Sequence, residues 1–465
     1  MTAPRNILFP VETINRELDY RLAMAVLASE PQNRIFIGLH ETLIRLARRL
    51  HGGIYLGKNA IRPHFPDALQ DYELLKNQGF LFVHFDTEGA VYPGDEDRWR
   101  EILYQRLDPR HLASNDYICT WGEFQKETYQ DLQPPCKANI RATGHPRFDL
   151  YRPRWRSYYA ADAARLKARF GDFLLINTNL ARANNRMGPD FVFSSFNGFD
   201  PNDLEGRLQV VENWAHQNEQ LSHIVRLVHR LHLVFPRTAV VLRPHPSEDP
   251  GFYDRIFQGI PNVHVLHEGP VGPWLLACAC MIHDGCTTGL EAHLSETPII
   301  NYRRIDNPPQ ESFLPNLFGV KCTDEDQVVQ ALVELFHGKQ SRTSFDDPLL
   351  IDHRARRLLQ NFRQEAFPMV LAVLQEAQEE LGDCSAPHDL AIHTEERFFD
   401  TIESAKHLLR PLSPRHRRAE IYSRGKFPGF QPAQIARRIH RLEAITGRSV
   451  RHRVLSRGLM MIEKT

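Results

Sequence analysis

The stretch TAVVLRPHPSE, residues 238–248, indicates how this chain folds. Its first half, TAVVL, is a short apolar run typical of a buried strand, and the prolines on both sides of His245 end that strand. The segment before it, Leu208–Leu233, has the periodicity of a long helix. A helix followed by a fully apolar strand is typical of β-α units, so the sequence predicts a parallel sheet covered by helices.

Similar apolar runs lie on both sides of this strand, separated by segments with helical periodicity. In the first part of the chain the predicted strands are Asn6–Pro10, Arg34–Leu39, Gly53–Leu56, Gly79–Phe85 and Asp116–Thr120. In the second part they are Phe173–Asn177, Thr238–Leu242, Val263–Leu266, Cys280–His283 and Pro298–Tyr302. The 465 residues therefore predict an α/β protein with two Rossmann-like domains that face a cleft.

The predicted boundaries are 1–165 for the N-terminal domain, 166–384 for the C-terminal domain and 385–465 for a basic helical extension. Residues 181–205 fit no regular element and are predicted to form a loop at the mouth of the cleft. Residues 405–465 contain 15 Lys and Arg against 3 Asp and Glu, whereas the rest of the chain contains 42 against 54. The basic tail therefore either braces the acidic body or contacts an anionic membrane surface.

Composition excludes several classes of protein. With 42% hydrophobic residues the chain can bury cores, and no apolar window is long enough to span a membrane. The N-terminus lacks the apolar core of a signal peptide, so we expect a cytoplasmic protein, peripheral on the inner face of the membrane if the tail binds lipid. The 7 cysteines have no zinc or disulfide spacing and are expected to be buried thiols. We expect no metal, no cofactor and no nucleic-acid partner.

The motif after the strand TAVVL is suited to binding an oxyanion. Arg243 offers a guanidinium, His245 a ring N–H fixed by its two flanking prolines, and Ser247 a hydroxyl. The alternative is a proline-ended strand with a structural histidine.

A second motif, His283-Asp-Gly-Cys-Thr-Thr-Gly-Leu-Glu291, joins a predicted strand to a helix. Thr287, Thr288 and the first N–H groups of that helix are expected to cradle a phosphate, and Glu291 to bind ribose hydroxyls. The alternative is a threonine N-cap with a first-turn carboxylate. Asn177 and Asn179 end a neighbouring predicted strand and are expected to bind the same ligand.

Two carboxylates, Asp86 and Glu88, follow the apolar strand GFLFVHF in the N-terminal domain. A carboxylate there could act as base or nucleophile at an anomeric carbon, although solvated loop acids are the alternative. Arg147 and Asp149, near the crossover between the domains, are expected to face the cleft and contact substrate. A turn with a local salt bridge is the other explanation for them.

Taken in order, these motifs resemble the bacterial surface carbohydrate biosynthesis proteins. The motifs are Trp121-Gly122, Thr143-Gly-His-Pro-Arg-Phe-Asp149, Ile176-Asn-Thr-Asn179, Arg243-Pro-His-Pro-Ser-Glu-Asp249 and His283-Asp-Gly-Cys-Thr-Thr288 with Glu291-Ala. That family is similar to GT-B glycosyltransferases with CMP-activated donors, notably the retaining β-transferases of 3-deoxy-D-manno-octulosonic acid (Kdo). The resemblance extends over roughly residues 5–380 and implies a GT-B-like fold.

The resemblance implies a glycosyltransferase of surface polysaccharide biosynthesis, such as that of capsule or lipopolysaccharide. It would transfer a Kdo-like ulosonic acid from a CMP-sugar to a glycan or lipid-linked glycan acceptor. His245 would bind the phosphate, Thr287 and Thr288 the phosphate or ribose, and Glu291 the ribose. An acidic residue before glycine matches the nucleophile, which points to Glu88 and leaves Asp86 open. The alternatives are a polyol-phosphate transferase, a UDP-sugar epimerase, or a non-catalytic nucleotide-sugar-binding partner in an assembly complex.

Overall fold

The structure is a computed structural model that describes residues 5–58, 66–89, 91–197, 199–304, 313–338, 348–382, 384–385, 389–409 and 414–465. It contains two compact units. The first unit comprises Met1–Tyr158, Leu349–Arg410 and Lys426–Thr465. The second unit comprises Tyr159–Pro348 and Pro411–Gly425.

The strands are β1 (Arg5–Pro10), β2 (Asn33–Gly38), β3 (Gly53–Gly57), β4 (Phe80–Phe85), β5 (Tyr117–Thr120), β6 (Asn139–Ala142), β7 (Leu174–Asn177), β8 (Val240–Arg243), β9 (Val263–Val265), β10 (Cys280–His283), β11 (Ile299–Tyr302), β12 (Val320–Cys322), β13 (Val450–Ser456) and β14 (Leu459–Lys464). The helices are α1 (Ile14–Ala28), α2 (His40–Ala47), α3 (Pro66–Asn77), α4 (Glu96–Arg106), α5 (Glu123–Gln130), α6 (Pro146–Asp149), α7 (Ser157–Phe170), α8 (Leu204–Val234), α9 (Pro250–Ile256), α10 (Gly272–Ala277), α11 (Thr288–Leu294), α12 (Glu325–Phe336), α13 (Pro348–Leu358), α14 (Ala366–Glu379), α15 (Asp389–Leu409), α16 (Pro414–Lys426) and α17 (Pro432–Thr446).

The first unit contains an eight-stranded sheet in the order β13-β14-β2-β1-β3-β4-β5-β6, of which β1 to β6 are parallel. Ile7, Leu8 and Phe9 of β1 are fully buried, as expected where helices cover both faces of a sheet. All five strands predicted for this part of the chain are present. The sixth, β6, has the sequence NIRA, which carries too little apolar character to be recognised as a strand.

The C-terminal extension differs from the prediction of a purely helical segment. It does contain the helices α15 to α17, but it ends in the hairpin β13–β14, and β14 pairs antiparallel with β2. Met460, Met461 and Ile462 face neighbours of the sheet and are at most 2% exposed. Burial of this apolar strand stabilises the edge of the first sheet, so residues 450–464 belong to the first unit. Residues 411–425, by contrast, belong to the second unit.

Ion pairs connect several tail cations to acidic residues of the first unit. Arg448 and Lys464 both contact Glu30, at 3.0 and 3.3 Å, and Arg438 lies 3.4 Å from Asp19. Of the two roles considered for the tail, these contacts favour that of a brace on the acidic body. Each exposed ion pair contributes little to stability by itself. The side chains of the basic run 414–418 lie outside the described residues. Contact with a membrane stays a prediction.

The second unit contains a six-stranded parallel sheet in the order β12-β11-β10-β7-β8-β9. All five strands predicted for this part of the chain are present, and the long helix appears as α8, whose N-cap Asp203 accepts a hydrogen bond from the Gly206 N–H. Between 181 and 205 the described residues form turns and two short 3-10 segments before α8 begins at Leu204. The two parallel sheets confirm the predicted α/β class with two Rossmann-like domains.

Two further sequence predictions concern the whole chain. All seven cysteines are free thiols, five of them buried and two partly buried. Among the described helices, none combines the length and the apolar composition that a membrane-spanning segment needs.

Candidate functional site

The strand order of the second unit predicts where a ligand binds. From the middle of the sheet, the strands β7, β8 and β9 follow one another towards one edge. The strands β10, β11 and β12 follow one another towards the other edge. The order therefore reverses between β7 and β10, and ligands of doubly wound sheets bind at the carboxyl ends of the strands beside such a reversal. The predicted nucleotide-binding side chains lie at the carboxyl ends of β7, β8 and β10 or in the segments that follow these strands.

Three consecutive residues at the end of β7 connect these loops. The Asn177 side-chain amide donates to Thr288 Oγ1 at 3.2 Å. The Thr178 hydroxyl donates to the Glu248 carboxylate at 2.8 Å. The Asn179 amide donates to the backbone oxygen of Gly285 at 3.2 Å, where a φ of +62° favours glycine. The structure thus brings the predicted asparagines, the 285–288 turn and the 243–248 turn together at one end of the sheet.

The His245 ring is oriented by its own turn. Its Nδ1 accepts a hydrogen bond from the Ser247 backbone N–H at 3.2 Å. In the neutral ring the proton therefore resides on Nε2, which acts as the donor. The His245 backbone N–H donates to Glu248 Oε1 at 3.1 Å. This arrangement is consistent with the predicted contact between His245 and an oxyanion.

Glu248 is a residue that the sequence analysis did not assign to the site. Its carboxylate is fully buried and also accepts hydrogen bonds from the Leu180 N–H at 3.0 Å and from the Tyr253 hydroxyl at 2.6 Å. Burial raises the pKa of this carboxyl, whereas the donors around it favour the ionised form. Glu248 therefore holds the turns after β7 and β8 together. The sequence signal for this role was its position three residues after His245, which follows β8.

Arg243 holds the turn after β9. Its guanidinium donates to the backbone oxygens of Glu268 and Gly269, at 2.7 and 3.1 Å, and lies 5.0 Å from the centre of the Trp274 ring. The residue is 7% exposed. Arg243 therefore positions this turn, and its contact with a phosphate stays a prediction.

The predicted phosphate cradle lies at the start of α11, a helix of seven residues. The Gly289 and Leu290 N–H groups donate to the backbone oxygens of Cys286 and Thr287, so these two N–H groups are already used. The Thr287 side chain makes no cap hydrogen bond. Phosphate binding by Thr287 and Thr288 stays a prediction.

The remaining two predicted residues of the second unit lie in different surroundings. Glu291 is 5% exposed, which leaves little of it for ribose hydroxyls. The Ser247 hydroxyl lies 3.4 Å from the Tyr422 hydroxyl of α16, the helix that joins this unit from the C-terminal extension. Tyr422 is thus a further neighbour of the site that no sequence pattern indicated.

Asp284 is a second unassigned acid at this end of the sheet. It follows β10 directly and is partly buried. Burial raises the pKa of its carboxyl to about 7, and the opposing charge of Arg303 does not outweigh this effect. A carboxyl that titrates near neutral pH is suited to proton transfer.

The first unit carries the two predicted acids, and Asp86 is committed to an ion pair. Its two oxygens accept hydrogen bonds from Nε and Nη2 of Arg106, both at 2.7 Å, and the residue is 3% exposed. Burial would raise the pKa of this carboxyl, but the Arg106 charge outweighs it and lowers the pKa well below its usual range. Asp86 is therefore positioned as a structural anchor.

Glu88 is more accessible. Half of its side chain is exposed, and its oxygens contact Arg16 at 2.8 Å and Arg106 at 3.2 Å. Burial acts to raise the pKa of Glu88, but the charges of Arg16 and Arg106 outweigh it and lower the pKa to about 2. The carboxylate is ionised at neutral pH, as a nucleophile requires. Between the two acids, the geometry favours Glu88.

Arg147 and Asp149 lie in the interior of the first unit. Arg147 is 5% exposed, and its guanidinium packs over the Phe148 ring at 4.6 Å. Asp149 is fully buried and accepts hydrogen bonds from the Asn361 side chain and the Phe367 N–H, both at 2.7 Å. The prediction that Asp149 contacts substrate is therefore corrected. Its fully buried oxygens instead hold the start of α14 in place. Arg147 as a substrate residue stays a prediction.

The Asp149 carboxyl gives a pH-dependent prediction. Burial raises its pKa to about 7, above an unfolded value of about 3.9. Because the pKa is higher in the folded than in the unfolded protein, the protonated carboxyl stabilises the fold below about pH 4. This contribution is lost as the pH rises towards 7. The stability of the wild type relative to Asp149→Asn should therefore fall by roughly 4 kcal/mol across this range. Urea unfolding of both proteins at several pH values measures this difference in the free energy of unfolding. A difference that does not change with pH would contradict the prediction.

Comparisons with known proteins give only a distant likeness. No protein-family model matches this chain, and no curated protein matches it in sequence. Among solved structures, UDP-GlcNAc 2-epimerase from Methanocaldococcus jannaschii is 12% identical with a TM-score of 0.45, over 80% of this chain and 100% of that one. The epimerase from Neisseria meningitidis, bound to UDP-GlcNAc, gives the same four values. The wall teichoic acid polymerase TagF is 12% identical with a TM-score of 0.45, over 81% and 89%. At this distance no substrate or reaction carries over.

Proposed function

We propose that this protein is a glycosyltransferase that takes a Kdo-like ulosonic acid from a CMP-activated donor and transfers it to a glycan acceptor. The observation that supports a nucleotide-sugar site most strongly is the connection of three loops by Asn177, Thr178 and Asn179. It lies where the strand order of the second unit reverses. The choice of a CMP-ulosonic acid and of surface polysaccharide as the product rests on the motif resemblance.

In this proposal the second unit binds the cytidine nucleotide. The Nε2–H of His245 donates to a phosphate oxygen, and the hydroxyl of Thr288 offers a further contact. A hydrogen bond to the phosphate becomes stronger as negative charge develops on the leaving CMP, so His245 stabilises the transition state.

The first unit supplies the nucleophile, Glu88. Its carboxylate oxygen forms a bond to the anomeric carbon while the bond from that carbon to the phosphate oxygen breaks, and CMP leaves with the electron pair. An acceptor hydroxyl then displaces Glu88, losing its proton to a base or to water. Two displacements retain the anomeric configuration.

Nucleotide binding gives the first test. We expect CMP to raise the melting temperature of the wild-type protein more than UDP, GDP or ADP at equal concentration. A ligand present at about 100 times its Kd stabilises by about 2.7 kcal/mol. His245→Ala should lose most of the CMP effect, because it removes the phosphate donor. His337→Ala, at an exposed position just after α12, is the matched control and should respond as the wild type does.

Two outcomes would contradict this proposal. Equal CMP stabilisation of wild type and His245→Ala would remove His245 from the phosphate site. A shift selective for UDP would replace the CMP donor with a UDP-sugar and favour the epimerase alternative.

A further inference from the structure

A polar cavity lies in the first unit. In its sheet the strands run in the order β2-β1-β3-β4, so the chain order reverses between β1 and β3. A cavity of about 10 Å³ lies at the carboxyl ends of these strands, lined by side chains that include Glu12, Glu17, Arg21, Lys58 and Thr87. It lies beneath the loop that carries Asp86 and Glu88.

Arg21 of α1 is the unusual member of this lining. It is 1% exposed, and its Nε and Nη1 are buried without a hydrogen-bond acceptor among the described residues. Its guanidinium instead lies 5.2 Å from the ring centres of Tyr20 and Phe85, and 5.6 Å from that of Phe9. Ring faces offset part of the cost of burying a cation, but they do not accept hydrogen bonds as an anionic oxygen does.

The neighbouring charged groups are already paired with one another. Lys58 contacts Glu12 at 2.9 Å and the Thr87 hydroxyl at 3.0 Å. Glu17 accepts hydrogen bonds from the Glu12 N–H at 2.7 Å and from Arg16 at 3.1 Å. These hydrogen bonds of Glu17 do not involve Arg21, whose Nε and Nη1 have no acceptor among the described residues. The N–H donors that lack an acceptor at this cavity therefore belong to a cation, the Arg21 guanidinium.

We propose that the first unit has an anion site at this cavity, in which Arg21 binds one oxygen of a carboxylate or phosphate group. A cavity of about 10 Å³ has room for roughly one oxygen atom, so the rest of the ligand would extend past Glu12, whose side chain is 37% exposed. Lys58 lines the same cavity, but its charge is offset by Glu12 and Glu17, so Arg21 supplies the positive charge for the anion. All residues that line the cavity belong to the first unit, whereas the proposed nucleotide-binding residues belong to the second.

The test uses the full-length His245→Ala protein, in which the proposed phosphate contact of the second unit is removed. Inorganic phosphate and acetate are titrated separately at constant ionic strength, with chloride as the balancing anion, and thermal stability is recorded. We expect saturable stabilisation by at least one of the two. Adding Arg21→Met should weaken the apparent affinity by about tenfold or more, as loss of a charge-assisted hydrogen bond does. Arg98→Met, at an exposed arginine of α4, should leave it unchanged.

Arg21→Lys provides a second variant if Arg21→Met does not fold. It keeps the charge but not the geometry of the guanidinium, and it should weaken anion binding while retaining a cooperative unfolding transition. A preference for acetate indicates a sugar-acid carboxylate as the natural ligand, and a preference for phosphate indicates a phosphorylated one. Equal anion stabilisation with and without Arg21, or no stabilisation beyond that of chloride, would overturn the proposal.

Discussion

Replacing Glu88 by glutamine is expected to abolish transfer while leaving CMP binding intact. The amide is nearly the same size as the carboxylate, so the loop after β4 keeps its shape, but the neutral amide cannot form the glycosyl–enzyme bond. Loss of an essential nucleophile lowers kcat by about a thousandfold or more. Because the nucleotide is assigned to the second unit, CMP stabilisation should match that of the wild type. The assay is the rate of acceptor-dependent CMP release.

Asp86→Asn is the matched comparison for this prediction. It breaks the bidentate pair with Arg106, which among the described residues keeps only its ion pair with Glu88 at 3.2 Å, and breaking a buried ion pair costs about 3–5 kcal/mol. We therefore expect a large loss of stability in Asp86→Asn and a small one in Glu88→Gln. Undiminished activity of Glu88→Gln would remove Glu88 from the mechanism. Loss of CMP binding in that variant would show that the effect is not confined to the chemical step.

Glu248→Gln is expected to combine a loss of stability with a loss of nucleotide affinity. The Leu180 and His245 N–H groups can only donate, so the amide oxygen would take the Oε1 position and the NH2 group would face the Thr178 and Tyr253 hydroxyls. These hydroxyls then lose an anionic acceptor, and loss of hydrogen bonds to a buried charged group costs about 1–3 kcal/mol. Since the carboxylate also holds the His245 backbone, CMP affinity should fall by about tenfold. Unfolding in urea and calorimetric titration with CMP measure the two effects.

Glu268→Gln is the control for Glu248, because its side chain is exposed and its main structural contact is made by the backbone oxygen. It should unfold and bind CMP as the wild type does. If Glu248→Gln loses stability but binds CMP normally, Glu248 is a core residue without influence on His245. If neither property changes, the proposed connection between the two turns is wrong.

Ten strands of the two sheets were predictable from the sequence because each contains a short apolar run with a clear end. The strand β10 and the helix α11 have the predicted bounds, and the motif after β8 has the predicted rigid turn. Strand β14 was missed as an element because its run of Leu, Met, Met and Ile is embedded in a basic segment with helical periodicity. Its place beside β2 depends on a contact between distant parts of the chain, which local patterns do not encode.

The site was predictable at the level of loops but less so at the level of roles. Asn177 and Thr288 were both expected to bind the nucleotide, and a hydrogen bond joins them. Arg243 was assigned to a ligand because charged residues at strand ends often bind one, and Asp149 because it lies near the predicted crossover between the domains. Their partners are backbone oxygens and N–H groups of remote segments, Glu268 and Phe367 among them, which only the folded chain reveals. Glu248 was missed for the same reason.

A reaction with CMP-Kdo and, separately, with UDP-GlcNAc, each followed by product analysis, distinguishes glycosyl transfer from epimerisation. We predict that the wild-type protein releases CMP from CMP-Kdo, that a glycan acceptor accelerates the release, and that Glu88→Gln does not catalyse it. We also predict that UDP-GlcNAc is unchanged. Conversion of UDP-GlcNAc to its epimer, with CMP-Kdo left intact, would show that the protein is not the proposed transferase.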